Sequence, residues 1–218
     1  MDFWMFNFLK KKKPVTLFHV THWKAGSQWI HKILHYCAHE RVIAPQQDMK
    51  HFLQDKILPG KIYPTLYLPY QEFTQVELPQ NSKYFVVIRD LRDALISFYF
   101  SIKISHSLDE KWIAEGRNKL NEIGIKDEAL IYLIEEGLYP FADIQHSWYQ
   151  SGETLIRYED ILENDVEILT PILVDNLAIS KEFARIAIED NRFEVITKGR
   201  QRGQEDMNSH ERKASPGD

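Results

Sequence analysis

The sequence predicts an α/β domain with a central parallel sheet flanked by helices, and three observations lead there. Val15-Thr-Leu-Phe-His-Val20 and Lys83-Tyr-Phe-Val-Val-Ile-Arg-Asp90 are short apolar or β-branched runs, the pattern of strands buried in a parallel sheet. Each passes through polar residues into a helical pattern, Ser27 to Glu40 after the first and a helix N-capped by Asp90 after the second. Composition agrees: with 218 residues, 44% of them hydrophobic and 27% charged, the chain can bury one full-sized core, so a single domain over 1–218 is expected rather than disorder.

Charge and cysteine content narrow the function classes. A formal net charge of −5 argues against general nucleic-acid binding, while a local basic pocket for an anionic ligand stays compatible with it. Cys37 is the only cysteine, which excludes an intrachain disulfide and a cysteine-rich metal site and points to a reducing, cytoplasmic setting. No stretch approaches the ~20 apolar residues of a membrane span. The segment 1–13 runs Met-Asp-Phe-Trp-Met-Phe-Asn-Phe-Leu and then Lys10 to Lys13, the reverse of a signal peptide's order. It reads as an apolar segment packed on the domain, or as an aromatic and polybasic foot making weak peripheral contact with an anionic membrane.

The chain is organised around Thr21 to Trp29, Thr-His-Trp-Lys-Ala-Gly-Ser-Gln-Trp, which joins the first strand to the first helix with Gly26 at the bend. Backbone N–H groups at a helix start point outward unpaired, and the helix dipole favours an anion there. Ser27 adds a hydroxyl and Lys24 a full positive charge, so the stretch is expected to form a P-loop-like strand–loop–helix phosphate site. It is not a Walker A loop, whose lysine follows the second of two glycines; here Lys24 precedes a lone glycine. A reading as an ATP or GTP site is weakened accordingly.

Arg41 to Tyr70 follows as a long connection containing Pro45, Pro59, Gly60, Pro64 and Pro69, and connections of that length tend to carry function. After the run ending at Asp90, Arg89-Asp-Leu-Arg-Asp-Ala-Leu-Ile-Ser97 begins a helix with Ala94, Leu95, Phe98 and Ile102 on one face. Arg89 sits where ligand crevices of such sheets lie, and it serves either an anion or an ion pair with Asp93. Phe100 to Gly124 predicts a helix end, a loop around Ser105 to Asp109, and a further helix. Two more helices are expected over Asp127 to Glu136 and Phe141 to Gln150, separated by Gly137 and Pro140. Glu153 to Tyr158 predicts a short strand with Tyr158-Glu-Asp-Ile161 at its carboxyl end, and helices over Asn164 to Leu177 and Ser180 to Asn191 follow. The remaining polar stretch from Gly199 has the composition of a disordered tail.

Four of these motifs, in this order, resemble the signature of sulfotransferases that use 3′-phosphoadenosine 5′-phosphosulfate (PAPS), and the resemblance extends from Val15 to Asp218. Lys24-Ala-Gly-Ser-Gln-Trp29 is similar to the family's Lys-Ser-Gly-Thr-x-Trp loop, which implies that Lys24, Ala25, Gly26, Ser27, Gln28 and Trp29 hold the 5′-phosphate. Arg89 and Ser97, eight positions apart, resemble its 3′-phosphate pair; a guanidinium forks onto two phosphate oxygens while a hydroxyl serves a third. Tyr158-Glu-Asp-Ile161 resembles its Tyr-Glu-Asp-Leu/Met, whose tyrosine lies near the nucleotide. Asn191-Arg-Phe193 resembles Thr-Ser-Phe, which implies that Phe193 faces Trp29 across the adenine and that Asn191 adds a polar contact. Arg212-Lys-Ala-Ser-Pro-Gly-Asp218 resembles Arg-Lys-Gly-x-x-Gly-Asp-Trp-Lys and implies that Arg212, Lys213 and Ala214 bind the 3′-phosphate from a mobile segment, 199–218.

The chain also departs from that signature. The family places a strand and its catalytic histidine in a Lys-Thr-His-Leu-Pro pattern, and in Thr65-Leu-Tyr-Leu-Pro69 the histidine position holds Tyr67. A phenol with a pKa near ~10 is a poor base at neutral pH, and Lys61, His51, Glu72 and His106 are other groups able to take a proton. Asn191 replaces a threonine, Ala214 replaces a glycine, and the expected Trp-Lys does not follow Asp218, so either a shortened sequence or a differently closed site is expected. The resemblance implies sulfuryl transfer from PAPS to a hydroxyl or amine of a small-molecule acceptor, with Lys24 neutralising the leaving phosphate oxygen, Tyr67 aligned with the base, and no metal. The rival readings are a catalytically silent 3′-phosphoadenosine nucleotide-binding module and, further off, a P-loop kinase.

Overall fold

The computed structural model describes residues 13–107, 110–209 and 211–215. Four strands, β1 (Thr16–Thr21), β2 (Ile62–Leu66), β3 (Ser82–Ile88) and β4 (Leu155–Arg157), form a sheet in the order β2-β1-β3-β4, and every pairing is parallel. The helices that connect and cover it are α1 (Ser27–Ala38), α2 (Lys50–Leu53), α3 (Tyr70–Gln75), α4 (Leu91–Phe100), α5 (Lys111–Ile123), α6 (Lys126–Glu136), α7 (Tyr139–Gln150), α8 (Tyr158–Glu163), α9 (Asp165–Leu177), α10 (Lys181–Asp190) and α11 (Phe193–Ile196). The α/β class and the parallel sheet are as the sequence predicts.

The central strand β1 is buried at every position. Its period of two sorts side chains between two cores: Leu17 joins Phe85, Val87, Ile30, Ile33 and Leu34 on one face, while Phe18 and Val20 join Val86, Phe52, Phe73 and Trp148 on the other. Trp148 has no exposed surface and donates its indole N–H to Leu68 O at 2.9 Å. A third cluster, built from Leu95, Tyr99, Ile102, Leu120 and Leu133, packs α4 against α5 and α6.

Local signals placed most helix starts. Asp90 accepts from Arg92 N at 2.9 Å to cap α4, and Ser180 accepts from Phe183 N at 3.1 Å to cap α10. The long connection after α1 departs from its loop-like reading, since it contains α2 and β2. Pro64 inside β2 hides the strand in the sequence; β2 is an edge strand, where a missing N–H is tolerated. Connections from β1 and β3 lead to opposite sides of the sheet, so a crevice opens between the carboxyl ends of those two neighbours.

Two histidines are part of this frame. His19, fully buried on β1, stacks on Phe85 with centroids 4.8 Å apart, and its Nδ1 donates to Pro64 O at 2.6 Å. His22, just past the strand, donates from Nδ1 to Trp23 O at 2.8 Å and accepts at Nε2 from the Arg89 N–H at 3.1 Å, tying the first loop to the end of β3. Burial pushes both imidazoles down to about 4, so both are neutral in the folded chain. The unfolded chain takes up protons near the ordinary histidine value while the folded chain refuses them. Stability is therefore expected to fall as pH is lowered from about 6.5 to about 4, by up to ~1.4 kcal/mol per pH unit for each histidine. Urea midpoints measured across that range check this; a flat profile would show that neither ring is held neutral.

Candidate nucleotide site

The crevice is shaped by the turn after β1. Lys24 and Gly26 both adopt left-handed backbone, with φ of 66° and 81°. At Gly26 the conformation is matched by a close approach: a Cβ there would lie 2.5 Å from Cε2 of Tyr158, so only glycine lets the turn rest on that ring. α1 then begins at Ser27 with no side chain capping its first turn, leaving those N–H groups to face the crevice.

The end of β3 meets this turn. Arg89 donates from Nη1 to Lys24 O at 2.9 Å and lies with its guanidinium carbon 4.8 Å from the Tyr158 ring centre, while its buried Nε has no hydrogen-bond partner. Asp90 N donates to Glu159 Oε1 at 3.0 Å, and Trp29 meets Tyr158 edge-on at 6.2 Å. Three motifs far apart in sequence thus interlock around one aromatic ring.

A cavity of about 390 Å³ occupies the crevice. Lys24, Gly26, Ser27, Gln28, Trp29, Tyr67, Arg89, Ser97, Tyr158, Phe193, Arg212, Lys213 and Ala214 all line it, so most of the residues named from sequence come together. Two do not reach it. Ala25 is fully buried beneath the turn, and Asn191 turns inward at the end of α10, donating from Nδ2 to Ala187 O at 2.8 Å. The polar contact expected of Asn191 is therefore spent on closing a helix.

The stretch after α11, given a tail-like composition, lies across the cavity mouth. Arg200 ties it together, donating to Arg212 O at 2.9 Å and to Ser209 Oγ at 3.0 Å with its guanidinium carbon 4.9 Å from the Phe193 ring centre. Lys32 on α1 pairs with Glu211 at 2.7 Å, and Arg212 lies over the Phe100 ring at 4.5 Å. Ala214, in a position where the resembling motif has glycine, is left-handed with φ 49°. Pro216 to Asp218, the rest of that motif, and the apolar part of segment 1–13 lie outside the described residues. Among the described residues no helix is long and apolar enough to cross a membrane.

Sequence reasoning missed Arg202, Lys32, Trp23 and Thr65, which also line the cavity. The signal for Arg202 was present: Gly199-Arg-Gln-Arg-Gly203 sets two arginines between glycines in a stretch otherwise read as a tail.

Crowded cations set the electrostatics. Burial, followed by the nearby Arg89 and Arg212 charges, pushes the Lys24 amine down to about 8. Lys24 Nζ donates to Ser101 Oγ at 3.0 Å. Tyr67 enters the site differently from its alignment with a base. Its hydroxyl bonds Ser27 Oγ at 3.0 Å and its ring stacks on Trp23 at 4.5 Å; burial raises the phenol's pKa above its ordinary value, partly offset by the Ser27 bond. A raised phenol pKa works against a base role at neutral pH, and the hydroxyl is engaged with Ser27.

No protein-family model and no curated protein sequence matches the chain. Among solved structures it is similar to the crystal structure of mouse sulfotransferase SULT7A1 complexed with PAP, with a TM-score of 0.63 and 17% identity over 94% of this chain and 76% of that one. The fold, a parallel sheet flanked by helices, is shared with that sulfotransferase.

Gly26→Ala is expected to destabilise the chain by about 1–3 kcal/mol, since the new Cβ collides with Tyr158 in a backbone region that favours glycine. Adding Tyr158→Ala to Gly26→Ala should recover part of that loss in urea denaturation; no recovery would place the whole cost in the backbone.

Proposed function

We propose that the chain is a sulfotransferase that moves a sulfuryl group from PAPS to a hydroxyl or amine of a small-molecule acceptor. The observation that carries the reading is the gathering of cations and aromatic faces in one cavity: Lys24, Arg89, Arg212 and Lys213 line it together with Ser97, Trp29 and Phe193, beside the uncapped first turn of α1. The buried, unpartnered Nε of Arg89 suits an anion, because such a donor is costly to leave unpaired. The shared fold of the PAP-bound mouse sulfotransferase supports the same assignment.

Each residue's part follows from charge. Negative charge builds on the phosphate oxygen that sulfur leaves, and Lys24 with the N–H groups of Ser27 to Trp29 would stabilise it. Arg89 and the Arg212–Lys213 pair would select a 3′-phosphorylated nucleotide over one lacking that group. Ser97 would add a hydroxyl donor from α4, and Tyr67 would fix Ser27. Ala25 and Asn191 would support the site from below without contacting the nucleotide. A silent nucleotide-binding module is the second reading, favoured by one observation: the phenol at the aligned base position is held protonated.

Calorimetric titration with 3′-phosphoadenosine 5′-phosphate and with 5′-AMP tests the nucleotide assignment. The wild type should prefer the 3′-phosphorylated ligand, and Arg89→Ala should lose roughly tenfold to a hundredfold in its affinity, as expected for removing charged hydrogen bonds. Equal affinity for both ligands in the wild type would sink the reading.

The same titration repeated at several pH values reports on Lys24. Its cation attracts the nucleotide, so affinity should weaken as pH rises above about 8 and the amine loses its charge. Lys24→Arg should flatten that dependence, and an unchanged slope in the variant would place the titrating group elsewhere.

A further inference from the structure

We infer that a second groove, at the end of the sheet away from the nucleotide cavity, is the docking surface for residues 1–12 of this same chain. Their aromatic side chains cover its apolar floor and their lysines meet its acidic rim. The inference is independent of the transferase reading.

The groove has a volume of about 910 Å³ and runs between two stretches of chain, 52–59 and 72–79. These lead into the amino ends of β2 and β3, whereas the cavity opens at the carboxyl ends of β1 and β3. The floor is the margin of the second core: Phe52 and Ile57 belong to that core, and Val76 and Leu78 pack half-buried against it. Leu53 beside them is 40% exposed. An apolar surface rimmed by polar groups is the usual mark of a contact site. The rim here is acidic, with Asp55, Glu72 and Glu77 exposed and Lys56 the one cation among the described lining residues. Among the described residues, none of those three carboxylates takes part in a salt bridge or a side-chain hydrogen bond.

The path of the chain singles out the occupant. Lys13 O accepts from Asn81 Nδ2 at 2.8 Å, and Pro14 packs on Gly60 so closely that a Cβ there would lie 2.8 Å from Cγ of Pro14. Gly60 directly follows Pro59, and Asn81 comes two residues after Pro79; those prolines end the two walls. Residues 1–12 therefore set out from the gap between the walls. Extended, they span roughly 40 Å, so the groove is within reach.

Their chemistry is complementary to it. Residues 1–9 are apolar apart from Asp2 and Asn7, with Phe3, Trp4, Phe6 and Phe8 the large side chains, and Lys10 to Lys12 stand next to the anchored Lys13. Seating the aromatics on Leu53 and Val76 removes apolar surface from water on both sides, and the lysines then face the unpaired carboxylates. A segment tethered this close has an effective concentration on the order of millimolar, so a weak intrinsic affinity fills the groove. Contact with a bilayer by the same residues competes poorly, because one short apolar segment holds a membrane only marginally.

The test uses the full chain and the indole of Trp4 as probe. Emission and acrylamide quenching are measured at low salt for the wild type and for Trp4→Phe, and the difference isolates Trp4 from Trp23, Trp29, Trp112 and Trp148. A docked segment gives Trp4 a blue-shifted emission and a quenching constant severalfold below that of a free tryptophan amide, both unchanged by dilution. Glu72→Lys with Glu77→Lys should raise that constant toward the free value, and adding Lys10→Glu with Lys12→Glu should bring it back down. Leu53→Glu should release Trp4 as well; the replaced groove side chains are all exposed, so the fold survives the changes. Each variant is compared with its own Trp4→Phe counterpart. A Trp4 quenched like the free amide in the wild type would overturn the inference, as would protection that the groove variants leave intact or that the charge swap fails to restore. Protection lost on dilution would overturn it in favour of docking onto a second copy. Protection seen only with phosphatidylserine-containing vesicles would overturn it in favour of a membrane foot.

Discussion

The left-handed turn at Gly26, pressed on the ring of Tyr158, is the contact on which the rest of the site depends. A turn that must end a buried strand and begin a helix within a few residues has little freedom, and here it also presses against a tyrosine brought in by the last strand. With no Cβ at Gly26, the two come close enough for Arg89 and Trp29 to pack against the same ring. The aromatic ring therefore sets the spacing between the phosphate-type loop and the guanidinium, and hence the width of the cavity between them.

Bringing several cations to one place has a cost that shows in the lysine. The chain as a whole carries a formal charge of −5, yet Lys24, Arg89, Arg202, Arg212 and Lys213 all line one cavity. Burial first, and then repulsion from Arg89 and Arg212, lowers the Lys24 pKa. The protein offsets part of this with Glu159 on the Asp90 N–H, Glu211 on Lys32, and backbone carbonyls under Arg89 and Arg200. An anionic ligand would relieve what remains, which couples affinity to the same crowding.

The histidines divide by environment rather than by sequence context. His19 and His22 are buried with one ring nitrogen committed to a backbone carbonyl, so they serve as neutral struts of the sheet and loop. His106 instead lines the cavity, on a turn whose carbonyls accept from Arg117.

Sequence by itself determined the fold class, the strands β1 and β3 and the helix starts at Asp90 and Ser180, because each is written in neighbouring residues as an apolar run, a period near 3.6 or a capping side chain. It also placed Lys24, Gly26 and Arg89 at strand ends, where parallel sheets expose their crevices. Tertiary structure decided what depends on groups distant along the chain. It turned Asn191 inward onto Ala187, because closing α10 satisfied a buried amide. It kept the proton on Tyr67 by desolvating a phenol whose own sequence position resembled that of a base. It joined Ser101 to Lys24 across 77 residues and brought His106 to the same hydroxyl through a π turn. Periodicity reports which face of an element is buried; the protonation state and aim of a side chain depend on which atoms the rest of the chain puts around it.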